Sequence, residues 1–383
     1  MTEIEDRLRR ELAQVAERAQ PGQLRPLREP RPRARAGWLA PVAAAAAVVV
    51  VVAAVWLASG AIFRGPVSTV APDNGMPRFY VVVTGPPIFR AVVHDSLTGR
   101  VLGTIPLPGR ASGAQSIAAA GDDRTFAIPV TEHQRRQAIT RVFVLRISAT
   151  GTSGHLALSR VTVPPYAAMT GIALSPGGGK LALALVFGSM RAHHSLKEIR
   201  VVSLATGTAR AWTNSRSWGA VISLAWTNGG RYLGFNWVPT RPISTGIAAT
   251  QARLLDTAAP GGNLTAAQVL ATGTRTGLGT LTDSLLFADG RGMIALWLRL
   301  PGRPGVPVSM PPSNRVLAKL AELSVPGDQV RRQYPRPRGQ SCYLLSAPGD
   351  GAHVLLRCPV LERMDHGHLT RLPAIGSHAA AAW

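Results

Sequence analysis

The sequence of 383 residues predicts an all-β domain that is preceded by one transmembrane helix and a short cytoplasmic helix. The first observation behind this prediction is an uncharged run of 21 residues from Trp38 to Ala58. The second is a strand–turn–strand pattern that recurs along the rest of the chain. The composition agrees, because 39 Gly and 30 Pro accompany an apolar fraction of 46%. That balance indicates a turn-rich folded protein rather than a disordered one.

Residues 1–37 are predicted to form a cytoplasmic tail that begins with an amphipathic helix. Thr2 and Glu5 have the spacing of a capping box, and Pro21-Gly22 ends the helical pattern. Apolar side chains recur every three or four residues and form one stripe, at Ile4, Leu8, Leu12 and Val15. A helix of about 18 residues is marginally stable alone. The stripe is therefore interpreted either as a docking surface for a cytoplasmic protein or as part of a frayed, solvated tail.

The second part of the tail, Gln23–Gly37, is rich in Arg and Pro. Three prolines exclude a regular helix there. Five arginines precede the apolar run: Arg25, Arg28, Arg31, Arg33 and Arg35. The positive-inside rule keeps such a flank in the cytoplasm, where it also faces anionic lipid. We therefore expect the amino terminus to lie inside.

Residues 38–60 are predicted to cross the membrane once. The 21 uncharged residues span roughly 31 Å as a helix, which matches the hydrocarbon thickness of a bilayer. Trp38 and Trp56 lie near the two ends, as interfacial aromatic residues do. The small residues Ala58–Ala61 leave a cleaved signal peptide as an alternative, but its head and apolar run would normally be shorter. The sequence thus predicts a single-pass protein of the cell membrane whose large domain is extracytoplasmic.

Residues 61–77 are a predicted spacer, and residues 78–383 are the large domain. Residues 61–383 contain 33 Lys and Arg against 14 Asp and Glu, a net charge of +19. Anionic lipid headgroups or wall polymers are possible partners of such a domain. Neither a basic helix nor a basic patch interleaved with aromatic residues is present, so nucleic acid is not predicted as a partner.

Five copies of a repeat carry the fold prediction. Each copy has an apolar strand, a small polar turn and a second apolar strand. The copies are Ser116–Val130, Gly171–Val186, Ser223–Trp237, Ser284–Leu298 and Tyr343–Arg357. A second kind of hairpin follows some of them, as at 141–158 and 199–212, and a partial unit occupies 79–108.

This pattern resembles the TolB-like and WD-repeat-like β-propellers of actinobacterial membrane-anchored proteins. The resemblance covers about residues 79–375 and is clearest in Leu174–Ala182, LSPGGGKLA, and in the Thr-Gly turns at Thr98 and Thr206. The usual Asp of the first turn is replaced by Gly177, Asn228 or Gly349, and the Gly-His and Trp-Asp marks of WD repeats are missing. The family's binding surfaces are therefore not transferred to this chain.

The partial unit at 79–108 and the five fuller copies predict a propeller of about six blades, with seven as the alternative. Because the unit at 79–108 lacks a first strand, a strand from the carboxyl-terminal tail is expected to complete it and close the ring.

Cys342 and Cys358 are the only cysteines, and they flank the last repeat. A hairpin centred on Asp350 places them opposite each other, within the range of a disulfide. An oxidising outer compartment favours the bond. Two buried free thiols are the alternative. A metal site would need two further ligands, for which His366 and His368 are the nearby candidates, and none is predicted.

No catalytic residue, cofactor or metal is predicted, since the sequence has no G-x-S-x-G, Walker lysine loop or H-E-x-x-H. The favoured function is a non-enzymatic module that binds an unknown extracytoplasmic ligand or protein. One alternative is a signalling regulator similar to membrane-bound anti-sigma proteins, with the tail bound to a cytoplasmic partner, although the His-x-x-x-Cys-x-x-Cys pattern of such proteins is absent. The other is a propeller hydrolase or lyase.

Overall fold

A computed structural model of the chain describes residues 76–84, 89–108, 111–113, 116–134, 137–188, 195–214, 219–238, 250–272, 280–287, 290–299, 317–325, 329–335, 342–347, 351–358, 360–373 and 380–383. The chain divides into two compact units, Met1–Ala58 and Ser59–Trp383, and the described residues all belong to the second. The predicted tail, transmembrane segment and most of the spacer lie outside these ranges. Among the residues described, none belongs to a helix long and apolar enough to cross a membrane.

The described part of the chain is built from strands, with one short 3-10 helix at Leu264–Ala266. In chain order the strands are β1 Phe79–Thr84, β2 Arg90–Asp95, β3 Val101–Pro106, β4 Ala111–Gly113, β5 Ala118–Ala119, β6 Thr125–Gln134, β7 Gln137–Ile147, β8 Gly154–Thr162, β9 Ala167–Leu174, β10 Lys180–Phe187, β11 Leu196–Ser203, β12 Ala209–Asn214, β13 Ala220–Trp226, β14 Tyr232–Val238, β15 Gln251–Asp256, β16 Gly262–Asn263, β17 Gln268–Thr272, β18 Thr280–Leu286, β19 Gly292–Arg299, β20 Leu317–Ser324, β21 Val330–Pro335, β22 Tyr343–Ser346, β23 His353–Arg357, β24 Leu361–Asp365, β25 His368–Arg371 and β26 Ala380–Ala382.

These strands form six sheets, which are the blades of a propeller. Blade 1 has the strand order β26-β1-β2-β3, and blade 2 has β4-β6-β7-β8 with β5 also paired to β6. Blade 3 contains β9 to β12, blade 4 contains β13, β14, β15 and β17, blade 5 contains β18 to β21, and blade 6 contains β22 to β25. Strands that follow one another within a blade pair antiparallel, whereas β16 adds in parallel to the outer edge of blade 3.

The ring is closed by the two ends of the domain. The innermost strands touch one another in the cyclic order β26, β5, β9, β13, β18, β22 and back to β26. Strand β26 pairs antiparallel with β1, with Val81 opposite Ala382 and Val83 opposite Ala380. The carboxyl-terminal strand therefore completes the blade that begins at Phe79, as the sequence predicts. The predicted all-β class and the count of six blades, rather than seven, are confirmed.

Each predicted repeat coincides with the first two strands of a blade. Gly171–Val186, for example, covers most of β9 and β10. Its turn is closed by a 2.9 Å hydrogen bond from the backbone N–H of Ser175 to the carbonyl of Lys180. Gly178 adopts a φ of 66° within this turn, a left-handed conformation that Gly adopts without steric cost. The hairpins predicted at 141–158 and 199–212 form the third and fourth strands of blades 2 and 3.

The apolar core is divided into clusters that lie between neighbouring blades. Successive side chains of a strand point to opposite faces of its sheet, so each blade contributes to two clusters. In β7, Phe143 and Leu145 pack against blade 1, whereas Val142 and Val144 pack against blade 3. Tyr80 and Val82 of β1 pack in the same way against Leu355 of blade 6. Burial on both faces explains why the strands have continuous apolar runs instead of alternating ones.

Candidate functional site

A groove opens on the outer side of the propeller, where blade 2 meets blade 3. We call it the blade 2–3 groove, and its volume is about 160 Å³. Its apolar lining comes from Val144, Ala157, Leu158 and Leu204, the last of which belongs to blade 3. Leu158 is 59% exposed at the mouth of this concavity. An apolar concavity with polar groups beside it is a candidate ligand site.

The groove results from the way in which β8 pairs with β7. Val144 lies opposite Ala157 and Arg146 opposite His155 in the register of the two strands, so these side chains share the face that looks toward blade 3. The register then shifts between Arg141 and Phe143. Such an irregularity bends the edge strand and redirects its side chains. Leu158, Ser159 and Arg160, which lie at this irregularity, also line the groove.

Basic groups surround the apolar floor. Arg146, His155 and Arg160 line the groove, and the lining that the structure describes includes no carboxylate. Arg160 Nη1 donates a 3.2 Å hydrogen bond to the carbonyl oxygen of Ala205 in blade 3, which fixes the end of β8 against its neighbour. Because a guanidinium stays charged at every physiological pH, the groove carries permanent positive charge. The arrangement suits a ligand that combines an apolar part with an anionic part.

A second polar cluster lies among the inner strands. Asp283 Oδ1 accepts hydrogen bonds from Ser223 Oγ at 2.5 Å and from Asn236 Nδ2 at 3.0 Å, and its Oδ2 accepts one from the backbone N–H of Leu344 at 2.8 Å. Ser284 Oγ donates to Asn236 Oδ1. Burial raises the pKa of Asp283 to about 6, against the lowering effect of these donors. Both carboxylate oxygens are engaged, so this cluster joins blades 4, 5 and 6.

A third cluster occupies the seam where blade 6 meets blade 1. The buried guanidinium of Arg363 pairs with Asp365, whose Oδ2 lies 2.7 Å from Arg363 Nε, and His353 Nδ1 lies 2.9 Å from Asp365 Oδ1. Arg363 Nη1 also donates to the carbonyl oxygens of Ser96 and Leu97 in blade 1. These bonds tie a charged side chain to the closing seam, and Arg363 and His353 are both buried. We therefore assign this cluster to the stability of the ring.

An aromatic pair extends that seam into blade 1. The rings of Tyr80 and His94 stack with centroids 4.7 Å apart and planes 9° from parallel. Burial raises the pKa of Tyr80 to about 12, whereas the positive charge of Arg363 opposes the rise. Burial lowers the pKa of His94, whose Nδ1 lies 3.0 Å from the carbonyl oxygen of Gly99. Both rings are thus held neutral at neutral pH within the seam.

The residues singled out from the sequence fall in different places. Cys342 and Cys358 are joined in a disulfide beside β22 and β23, with their Cα atoms 4.1 Å apart. The tail stripe from Ile4 to Val15 and the arginines from Arg25 to Arg35 lie outside the described residues. No group of three or more His, Cys, Asp or Glu suited to a metal ion occurs in the described ranges.

Sequence reasoning did not identify the groove. Its residues come from a stretch that the sequence presents only as an apolar strand and a Gly turn, 141–158, together with Ser159, Arg160 and Leu204. The signal that was present is an apolar residue, Leu158, followed closely by Arg160 on the same strand. The shift in register that gathers these residues has no signature in the sequence.

Comparisons with known proteins show likeness in fold alone. No protein family matches the chain, and no curated protein matches it. Among solved structures, the acylaminoacyl peptidase of Pyrococcus horikoshii aligns with 12% identity and a TM-score of 0.37. The match covers 55% of this chain but only 33% of the peptidase. The periplasmic gluconolactonase of Pseudomonas aeruginosa aligns with 15% identity and a TM-score of 0.43, over 77% of this chain and 82% of that one.

The propeller domain of the trilobed protease from Pyrococcus furiosus aligns with 13% identity and a TM-score of 0.36, over 69% of this chain and 72% of that domain. The likeness concerns the arrangement of blades and extends to no activity. The strand order and the closure of the ring define the class by themselves, a closed six-bladed β-propeller. Its outer surface carries an apolar groove with a basic rim between blades 2 and 3.

Proposed function

We propose that the chain is a single-pass membrane protein whose extracytoplasmic propeller is a non-enzymatic binding module, with the blade 2–3 groove as its ligand site. We also place it, within this proposal, among the TolB-like membrane-anchored propellers of actinobacteria that the sequence resembles. The observation that carries the function is the groove itself. It combines an exposed Leu158 with the basic side chains of Arg146 and Arg160.

The buried polar clusters support binding over turnover. Asp283 is saturated by Ser223, Asn236 and Leu344, and Asp365 is held by Arg363 and His353. A catalytic acid or base must reach the atom whose proton it transfers. These carboxylates instead hold the blades together.

A fluorescent probe that is both aromatic and anionic tests the groove. Anilinonaphthalene sulfonate added to the purified full chain should fluoresce, because its rings enter the apolar floor and its sulfonate meets the arginines. Leu158→Asp, which introduces a repelling charge, and Ala157→Trp, which fills the space, should both remove the signal. Leu97→Asp is the matched control, since Leu97 is also exposed, at 69%, but lies on blade 1.

The control should fluoresce like the native chain, and all four proteins should unfold at a similar temperature. Equal fluorescence of the native chain and both groove variants would show that the probe binds elsewhere, and the groove would then lose its proposed role.

The proposed topology has its own test. Ala34→Cys and Ser68→Cys flank the apolar run on opposite sides. In intact cells a membrane-impermeant maleimide should label the Cys of the second variant and not that of the first, whereas both should react after the cells are opened. Labelling of both, or of the first alone, in intact cells contradicts an inside amino terminus.

A further inference from the structure

Strand β8 forms the outer edge of blade 2, and some of its backbone N–H and C=O groups point away from the sheet. The N–H of Ile147 donates to the carbonyl of Arg124 on the β6 side, and the N–H of Ser148 donates to Ser153 at the start of β8. Hydrogen bonds in an antiparallel ladder alternate along a strand. In the register of β7 and β8, Gly154, Leu156 and Leu158 therefore point their N–H and C=O groups outward.

Within the described part of the chain, β8 pairs with β7 alone, and the stretch from Gly154 to Leu158 continues in regular register. Unpaired groups along an edge strand are a template for another extended segment. The neighbouring blade shows that this propeller already uses its edges in this way. Gly262–Asn263, from the connection between β15 and β17 of blade 4, pairs in parallel with Trp212 and Thr213 on the outer strand of blade 3.

The free edge of β8 lies directly beside the blade 2–3 groove. Leu158 belongs to both, because its backbone faces outward and the residue lines the groove. A segment added to this edge places every second side chain toward blade 3. There it meets an apolar floor of Ala157 and Leu204, with the guanidinium groups of Arg146 and Arg160 at the rim.

We propose that the groove receives an acidic peptide segment of a partner protein, which binds in extended conformation along the edge of β8. One apolar side chain of the segment enters the groove between Leu158 and Leu204, and carboxylates two positions before and after it, on the same face, lie against Arg146 and Arg160. This inference rests on the proposed function and names the ligand class of the same site. Addition of a strand to a sheet edge combines main-chain hydrogen bonds with side-chain pockets in this manner.

The outward backbone groups distinguish a peptide from an anionic lipid. An acyl chain fills an apolar groove but has no N–H or C=O with which to pair Leu156 and Leu158. Only the peptide therefore depends on the backbone of β8 as well as on its side chains, and this dependence is the basis of the test.

The probe is a fluorescein-labelled extended peptide in which Leu and Asp alternate at every second position and Ser occupies the positions between, so that Leu and Asp share one face. Its binding to the purified full chain is followed by fluorescence anisotropy. Three further ligands serve as comparisons. The first is the same peptide with alternate N-methylated amides, which cannot pair as a strand. The second is a Leu and Lys peptide of reversed charge. The third is a vesicle of anionic phosphatidylglycerol.

The protein variants separate the side chain of Leu158 from its backbone. Leu158→Ala removes the apolar contact and should weaken the Leu and Asp peptide about fivefold. Leu158→Pro also removes an outward N–H but breaks no hydrogen bond to β7, and edge strands tolerate Pro at such a position. This variant should bind the Leu and Asp peptide about tenfold more weakly than Leu158→Ala does. Arg160→Glu should weaken binding of the Leu and Asp peptide about tenfold and improve binding of the Lys peptide.

If the Ala and Pro variants bind the unmodified Leu and Asp peptide equally well, strand pairing is overturned. It is also overturned if the native chain binds the N-methylated peptide as tightly as the unmodified one. Binding of the vesicles with no binding of the peptide overturns the peptide assignment in favour of lipid. If anilinonaphthalene sulfonate occupies the groove but neither peptide binds, the proposed function stands and this inference fails. If neither the dye nor the peptides bind, both fail.

Discussion

Ser223, on the first strand of blade 4, donates a 2.5 Å hydrogen bond to Asp283, on the first strand of blade 5. The second carboxylate oxygen of Asp283 accepts the backbone N–H of Leu344 in blade 6. One buried side chain thus joins three successive blades near the centre of the ring. Ser223 adopts a φ of 52°, a left-handed conformation that is uncommon for a residue with a side chain. The cluster therefore holds strain as well as charge.

Asp283 should make stability fall as the pH rises from about 4 to about 6. The pKa of Asp283 is raised to about 6 by burial, so the folded chain binds this proton over a range in which the unfolded chain, with a pKa of about 3.9, has lost it. Its contribution is present in full below about pH 4 and is lost as the pH passes the folded pKa.

Urea unfolding of the native chain and of Asp283→Asn at several pH values measures this effect. The difference in free energy of unfolding, native minus variant, should decrease by up to about 3 kcal/mol between pH 4 and pH 7. Ser223→Ala removes a donor that favours the carboxylate and should move the decrease to higher pH, whereas Ser148→Ala on an exposed turn should not. A difference that is constant with pH contradicts the prediction.

Arg363 should be essential to the seam between blades 6 and 1. Its guanidinium is buried and binds Asp365 together with the carbonyl oxygens of Ser96 and Leu97. Arg363→Met leaves Asp365 without its cation, and removal of one partner of a buried pair typically costs about 3–5 kcal/mol. Arg363→Lys should recover only part of the loss, because an ammonium group cannot reproduce the planar fork.

Chemical unfolding of the two variants measures this loss. The exposed pair of Arg231 and Asp256, at 2.7 Å, supplies the control, since Arg231→Met should leave the unfolding curve unchanged. If Arg363→Met unfolds like the native chain, the seam does not depend on this guanidinium.

Closure of the ring by β26 should stabilise the fold more than the packing of Trp383, the residue that follows this strand. Trp383 is 3% exposed, and its carbonyl accepts a 3.3 Å hydrogen bond from Ser346 Oγ. Trp383→Ala should cost about 3–5 kcal/mol. Deletion of residues 380–383 also removes the pairing with Val81–Val83 and should cost more. It should further produce dimers through the exposed edge of β1, detectable by size-exclusion chromatography. A deletion no more damaging than Trp383→Ala would falsify the role of β26 as the closing strand.

The blades could be predicted because each depends on local signals. In Ser284–Leu298 two apolar runs and one Gly-containing turn define a hairpin without reference to the rest of the chain. The closing strand could also be predicted, since the unit at 79–108 lacks a first strand. The buried cluster could not, because Asp283 meets partners 60 and 61 residues away in sequence. The groove depends likewise on a register shift in β8 and on Leu204 from the next blade.

The disulfide between Cys342 and Cys358 should stabilise blade 6 by an amount that its loop length sets. Tyr343 pairs with Arg357 and Leu344 with Leu356, and this register continues to the two cysteines. Their sequence separation is 16, for which the chain-entropy account gives about 3 kcal/mol. Reduction should therefore lower the free energy of unfolding of the native chain by about that amount.

The double variant Cys342→Ala/Cys358→Ala provides the control, because it should unfold with the same free energy with and without reductant. A thiol titration under denaturing conditions should find no free thiol in the native chain before reduction and two afterwards. Two free thiols before reduction, in protein secreted through an oxidising compartment, contradict the bond. If the free energy of unfolding of the native chain is the same with and without reductant, the disulfide does not contribute to stability. The two measurements separate the presence of the bond from its effect, since a bond that forms in an already rigid hairpin would pass the first and fail the second.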